Sequence, residues 1–268
     1  MSVPNYAAAV ALGVVQGALV AMPRRGALDL LGRLRSPAWA AVLPGSILLG
    51  TFGPLAVPSS ARWLPEAVAL AALPLAAVAV LAVVRCPRAW TLALALAAMV
   101  LATLVGTRAG EPSATVITAL ACLALGAVLA RLIPAAWMLA AVLSMAIADA
   151  ALLGCGAGQP AAALIAGATG PHMAVFDSIR IRQLTLDYPD LVLAATLGAF
   201  LADQRGRHGG AVLVAALTAG CFLLTPRGGI WPATVPLALT LLALRAARLP
   251  HLIASLRRGV GSPDPAGA

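Results

Sequence analysis

Apolar runs of about twenty residues recur from one end of this 268-residue chain to the other. A helix needs about 20 apolar residues to cross the hydrocarbon core of a bilayer, so runs of this length leave few possible folds. Hydrophobic residues make up 62% of the sequence and charged residues only 10%, which excludes an ordinary soluble domain. The sequence therefore predicts an all-α polytopic membrane protein.

The apolar runs divide the chain into nine predicted spans, separated by breaks that carry Pro, Gly and Arg. The spans are 5–22, 37–57, 66–84, 89–107, 113–130, 134–154, 189–202, 210–225 and 229–248. We expect a single transmembrane domain over 1–250, with N-terminal spans in 5–130 and candidate catalytic spans in 134–248. A basic, partly disordered cytoplasmic tail is expected at 251–268. The stretch 160–176 contains glycines and a proline, and we expect it to be partly buried without spanning; a tenth span or a re-entrant segment is the alternative.

Arginine placement predicts how the bundle is oriented. All 18 basic side chains are arginines, and with nine spans thirteen of them fall on one side of the membrane and five on the other. Because positive charge concentrates on the cytoplasmic side, we expect a multi-pass protein of the cell (plasma) membrane with its N-terminus outside and its C-terminus in the cytoplasm. No basic and aromatic stripe accompanies the net charge of +9, so lipid, and not nucleic acid, is the expected partner. The oligomeric state is left open.

Two aspartates stand out among the nine carboxylates of the chain. Asp149 follows eleven largely apolar residues in "MLAAVLSMAIADAALLG", where an ionised carboxylate is costly unless it is paired or faces water. Asp190 stands at the head of the next span, directly before "LVLAA". If the two helices are neighbours, their acids lie at similar depth and would share one proton, so that one could activate water while the other polarises an amide.

Each acid also has a structural interpretation. Asp149 could be a protonated side chain that hydrogen-bonds a neighbouring helix. Asp187 is a rival to Asp190, and we interpret it as a turn or helix-capping acid ahead of the span.

The order of these features resembles the membrane-embedded aspartyl proteases of the presenilin and signal peptide peptidase (GxGD) type. That family carries an aspartate in the sixth span, Gly-x-Gly-Asp at the head of the seventh and Pro-Ala-Leu at the head of the ninth. Here "AIADAALL" holds Asp149, "LDYPDLVLAATL" holds Asp190 and "GGIWPATVPLAL" holds Pro232-Ala233-Thr234. The resemblance implies a presenilin-like bundle in which Asp149 and Asp190 are catalytic and Pro232, Ala233 and Thr234 bind substrate. The implied substrate is a transmembrane peptide, with no cofactor and no metal.

The motifs depart from the family pattern at several positions. Ala148 replaces the tyrosine before the first aspartate, both motif glycines before Asp190 are absent, and Thr234 replaces leucine. An active endopeptidase and a member that once cleaved peptides therefore both stay open.

Two alternatives to this family remain. "DLVLAATLGAFLA" also resembles the helix after Gly-x-Gly-Asp in type IV prepilin peptidases. The alternative of another class is a non-enzymatic membrane protein, either a proton-coupled transporter, since transporters use intramembrane acids, or a structural partner.

Overall fold

The computed structural model describes residues 3–24, 28–80, 97, 100, 110–168, 178–181, 184–202, 204, 207–224 and 232–246. Nine α-helices lie within these ranges: α1 (Val3–Ala21), α2 (Val42–Ala56), α3 (Ser60–Val78), α4 (Gly110–Leu132), α5 (Ala135–Gly154), α6 (Gly158–Ala168), α7 (Tyr188–Leu201), α8 (Arg207–Leu224) and α9 (Thr234–Ala246). Two 3-10 helices, Asp29–Leu34 and Pro37–Ala41, connect α1 to α2. Two short strands, β1 (Ser178–Ile181) and β2 (Leu184–Asp187), precede α7.

Five helical stretches in the described part of the chain are long and apolar enough to cross a membrane: Pro37–Ala56, Ser60–Val78, Pro112–Leu132, Ala135–Gly154 and Arg207–Leu224. Three further apolar helices are shorter: Tyr6–Ala21, Tyr188–Leu201 and Thr234–Ala246. Eight of the nine predicted spans overlap a helix. The fourth, 89–107, lies outside the described residues apart from helical positions 97 and 100, and the tail at 251–268 lies outside them entirely. This architecture agrees with a helical, multi-pass membrane protein.

The region between the sixth and seventh predicted spans contains a short helix and a β-hairpin. Helix α6 has 11 residues and is mostly exposed, with Ala161 buried; at about 16 Å it is shorter than a span. The remainder of the 160–176 stretch, residues 169–177, lies outside the described part.

The all-α prediction omits the antiparallel pairing of β1 with β2. The alternation in "SIRI" and "LTLD" accounts for it, because residues two apart in a strand share a face. The buried residues are Ile179, Leu184 and Leu186, while Thr185 is exposed.

Helix α7 lies at the centre of the bundle. It packs against α1, α4 and α9, and every residue from Asp190 to Ala199 is buried. After its first turn, the sequence "YPDLVLAATLGAFL" is apolar on all sides, and a helix of that kind must be covered by lipid or by other helices; here other helices cover it. The acid at its head is therefore held in the interior of the protein.

Glycines allow this central helix to approach its neighbours closely. A methyl group on Gly126 of α4 would lie 2.5 Å from the backbone nitrogen of Thr196 in α7. One on Gly198 of α7 would lie 2.6 Å from the backbone of α1. Gly13 and Gly17 of α1 likewise meet backbone and small side chains of α8. Such close packing through small residues is typical of helices in membranes, where the solvent offers no hydrophobic driving force for their association.

Arginine side chains tie several connections together at one end of the bundle. Arg131, at the end of α4, forms an ion pair with Asp29 at 3.1 Å. Three further arginines donate to backbone carbonyls: Arg35 to Arg131 at 2.9 Å, Arg207 to Pro23 at 2.7 Å and Arg245 to Ala135 at 3.1 Å. We call this region the arginine end. It comprises the chain before α2, the α4–α5 connection, the start of α8 and the end of α9.

Candidate functional site

Asp149 lies in α5, one and a half turns before the helix ends, and its carboxylate contacts the first residue of α9. The Thr234 hydroxyl donates to Asp149 Oδ2 at 2.6 Å, and the Thr234 backbone N–H also interacts with this carboxylate. The first N–H groups of a helix have no partner within that helix, and the helix dipole favours negative charge there. Half-buried Asp149 thus supplies an acceptor for the donors of the first residue of α9. A hydrogen bond to a neighbouring helix is what the structural interpretation of Asp149 predicted.

Asp190 is 8% exposed and belongs to a capping box at the start of α7. The backbone N–H of Asp187 donates to Asp190 Oδ2 at 3.2 Å, and the Asp187 side chain accepts from the backbone of Asp190. Pro189 stands in the first turn, where its missing N–H breaks no helical hydrogen bond. An acid stands at the head of this apolar helix because buried Asp190 completes a capping box, and exposed Asp187 is the capping residue, in agreement with its interpretation from the sequence.

One helix joins the two helices that carry the predicted catalytic acids. Helix α9 packs against both α5, which holds Asp149, and α7, which begins with the turn that holds Asp190. Asp149 and Thr234 therefore share one location, and the helix headed by Asp190 is packed beside it.

The position of this location along the bundle follows from α5 and α9, which run antiparallel. Arg245 contacts Ala135 at the arginine end, and Thr234 contacts Asp149 at the other. Fourteen residues of α5 separate Ala135 from Asp149, or about 21 Å at 1.5 Å per residue. The hydrocarbon core of a bilayer is about 30 Å thick. If the arginine end lies at a membrane surface, the two acids lie at membrane depth.

The predicted substrate-binding segment is packed beside Asp149. Pro232, Ala233 and Thr234 are all buried. Pro236 lies in the first turn of α9, where a residue without an N–H is tolerated. The structure thus brings the third motif to the first, and its threonine touches the acid directly.

A buried polar residue beside this location that the sequence did not single out is Gln16 of α1. Its Nε2 donates to the carbonyl of Ala233 at 3.2 Å, and its Oε1 accepts from the hydroxyl of Thr218 in α8. Gln16 and Thr218 are completely buried. A lone amide inside the apolar run of the first span was the available signal, since polar side chains within a span face the protein interior and find partners there.

Metal ligation has no candidate in the described part of the chain, where no three His, Cys, Asp or Glu side chains are grouped so that they could hold an ion.

Comparisons with known families, curated proteins and solved structures returned no match to this chain.

Proposed function

We propose that this protein is an intramembrane aspartic endopeptidase in which Asp149 and Asp190 form the catalytic pair. The observation that carries the proposal is geometric: Thr234, the first residue of α9, donates to Asp149 of α5 at 2.6 Å, and α9 also packs against α7, whose first turn holds Asp190. Two such acids resist double ionisation and share one proton, the arrangement that aspartic proteolysis requires.

The reaction divides the work between the two acids. The ionised carboxylate takes a proton from a water molecule, whose oxygen attacks the carbonyl carbon of the peptide bond. The protonated acid gives its proton to the carbonyl oxygen, which yields a tetrahedral diol. Proton transfer to the peptide nitrogen and cleavage of the C–N bond then release a carboxylic acid and an amine. The pair is left with one proton, as it began.

In this proposal water reaches the pair past two short helices. In the described part of the chain, α7 and α9 have 14 and 13 residues, or about 21 and 20 Å, less than the thickness of the hydrocarbon core. Both would begin inside the membrane if their far ends lie at its surface. Helices that begin inside a membrane are tolerated where they line a water-filled cavity, and Asp190 and Thr234 stand at these two starts.

A transmembrane substrate must unwind locally, since the backbone of an intact helix shields its peptide bonds. Strand β2 ends at Asp187, directly before α7. Each strand of the two-stranded sheet has an edge that no other described strand pairs. An extended peptide could satisfy its backbone groups along such an edge and reach Asp190 in an open conformation.

The proposal includes an architecture of nine spans in a presenilin-like bundle of the plasma membrane. The N-terminus would lie outside and the arginine end at the cytoplasmic surface. The support is the overlap of eight predicted spans with helices and the convergence of Arg35, Arg131, Arg207 and Arg245 at one end.

Cleavage of a transmembrane peptide by the full chain in proteoliposomes tests the function. Asp149→Asn and Asp190→Asn should each abolish cleavage and leave the protein folded, because an asparagine oxygen can accept the same hydrogen bonds from Thr234 and from the Asp187 backbone. Asp187→Asn is the matched control. Asparagine caps a helix as well as aspartate does, so this variant should retain activity.

Two results would contradict the assignment. Full activity of either catalytic-site variant would remove that acid from the mechanism. If the wild-type chain cleaves no transmembrane peptide, and Asp149→Asn and Asp190→Asn alter only its stability, the acids are structural caps for α9 and α7.

A further inference from the structure

The amide of Gln16 joins three parts of the bundle inside the protein. It accepts a hydrogen bond from the Thr218 hydroxyl of α8 and donates one to the Ala233 carbonyl just ahead of α9. Both ends of the amide are used, which is how a fully buried polar side chain avoids its desolvation penalty. If the Gln16 amide were flipped, its oxygen would face the Ala233 carbonyl and neither oxygen could donate. Only the observed orientation therefore pairs the amide with both Thr218 and Ala233.

The carbonyl that Gln16 holds belongs to the same peptide unit as the backbone nitrogen of Thr234. A trans peptide is planar, and its C=O and N–H point in opposite directions. Fixing the Ala233 oxygen toward α1 therefore aims the Thr234 N–H away from α1. That N–H and the Thr234 hydroxyl both engage Asp149. A chain of direct contacts thus runs from Thr218 through Gln16 and the Ala233–Thr234 peptide to the Asp149 carboxylate.

We propose that Gln16 and Thr218 form a positioning pair that orients the Asp149 carboxylate through the Ala233–Thr234 peptide. Its catalytic consequence rests on the proposed function, whereas the positioning itself does not. Neither residue touches the acid directly, so both are positioning residues and not catalytic ones.

Packing between α1 and α8 does not account for this pair. Gly13 and Gly17 already bring the α1 backbone against Ala215 and Ala211 of α8. The Gln16 amide also donates to the carbonyl of Ala233, which precedes α9 and lies 217 residues away in the sequence. Two other buried threonines, Thr196 and Thr240, instead donate to carbonyls four residues earlier in their own helices.

Infrared spectroscopy of the purified full chain at acidic pH tests the positioning without any substrate. The carboxyl band of Asp149 is assigned by its loss in Asp149→Asn. In Thr218→Val and in Gln16→Leu it should move to higher wavenumber, because a looser Thr234 donates weaker hydrogen bonds. Thr218→Ser keeps the hydroxyl and should restore the wild-type band. Thr240→Val removes an equally buried hydroxyl of α9 and should leave the band in place.

Cleavage kinetics supply the second readout. Thr218→Val should lower kcat about tenfold, the effect of weakening one hydrogen bond to a charged group, with KM little changed. A band that stays in place in Thr218→Val overturns the positioning pair, and so does an equal shift in Thr240→Val. If the band shifts in Thr218→Val but the wild-type chain cleaves no peptide, the positioning pair is supported and the protease is rejected. The comparison of Thr218→Val with Thr218→Ser keeps the test valid even if Gln16→Leu does not fold.

Discussion

Thr234 donates its hydroxyl to the Asp149 carboxylate at 2.6 Å, joining two helices across 85 residues of sequence. If the resemblance to the presenilin type holds, this residue stands where the Pro-Ala-Leu motif has a leucine, which could not make the contact. On that resemblance, the departure from the motif adds a hydroxyl donor beside the Thr234 backbone N–H, which also interacts with Asp149. It also suggests the first prediction.

Thr234→Val should impair both stability and activity. Valine has nearly the same shape but no hydroxyl, so Asp149 loses a buried partner. We expect a loss of about 1–3 kcal/mol in the free energy of unfolding and a roughly tenfold drop in cleavage rate. Thr234→Ser retains the donor and should stay close to wild type. Thermal unfolding in detergent and peptide cleavage measure the two effects, and equal behaviour of the valine and serine variants would deny the hydroxyl any role.

Gly126→Ala should destabilise the bundle, because the new methyl group would lie 2.5 Å from the Thr196 backbone nitrogen and force α4 away from α7. Gly220→Ala in α8 is the matched control, since nothing lies within 4 Å of its added methyl group. It should be neutral or stabilise by up to about 1 kcal/mol through better helix propensity. Unfolding in detergent compares the two, and equal stabilities would mean that α4 and α7 are not in close contact.

Cysteine cross-linking should join the start of α9 to the start of α7. In a chain whose native cysteines are replaced by alanine, a cysteine at Thr234 should react through a short bifunctional reagent with one at Asp190 or at an adjacent position. The control places the partner at Leu201, at the far end of α7 and about 16 Å along the helix from Asp190. Failure at every position around Asp190 would separate the third motif from the acids.

Reporter fusions should place the arginine end in the cytoplasm. Fusions after Arg35 and at the C-terminus are both expected to report cytoplasm, and a fusion after Ser59, in the α2–α3 connection, should report the outside. Arg35 and Arg245 lie at the same end of the bundle through their bonds to Arg131 and Ala135. Opposite locations for the first two reporters would rule out this topology.

Much of this architecture could be predicted from the sequence, because a spanning helix is recorded locally as a run of apolar residues. Asp149 and Asp190 could also be picked out, since a carboxylate inside or at the head of such a run is costly unless it is paired, whereas Thr234 was identified only through the resemblance to the Pro-Ala-Leu motif. Helix α7 was easy to place as well, although its role as the enclosed centre of the bundle depends on which helices surround it.

The partners of these residues could not be predicted in the same way. Nothing near Gln16 in the sequence identifies the carbonyl of Ala233, because that contact depends on how α1, α8 and α9 pack. The β-hairpin was missed for another reason. Its alternating residues form two strands of only four residues each, too short to stand out beside runs of twenty.

The bond from Gln16 to Ala233 links positions 217 residues apart and therefore bears on biosynthesis. The first helix leaves the ribosome long before the last one. Until the last helix inserts, a nascent chain holds Asp149 without the threonine that binds it and Gln16 without its carbonyl. A chain that stalls before residue 232 should then be a poorly packed substrate for membrane quality control, and the site would be completed only after α9 has inserted.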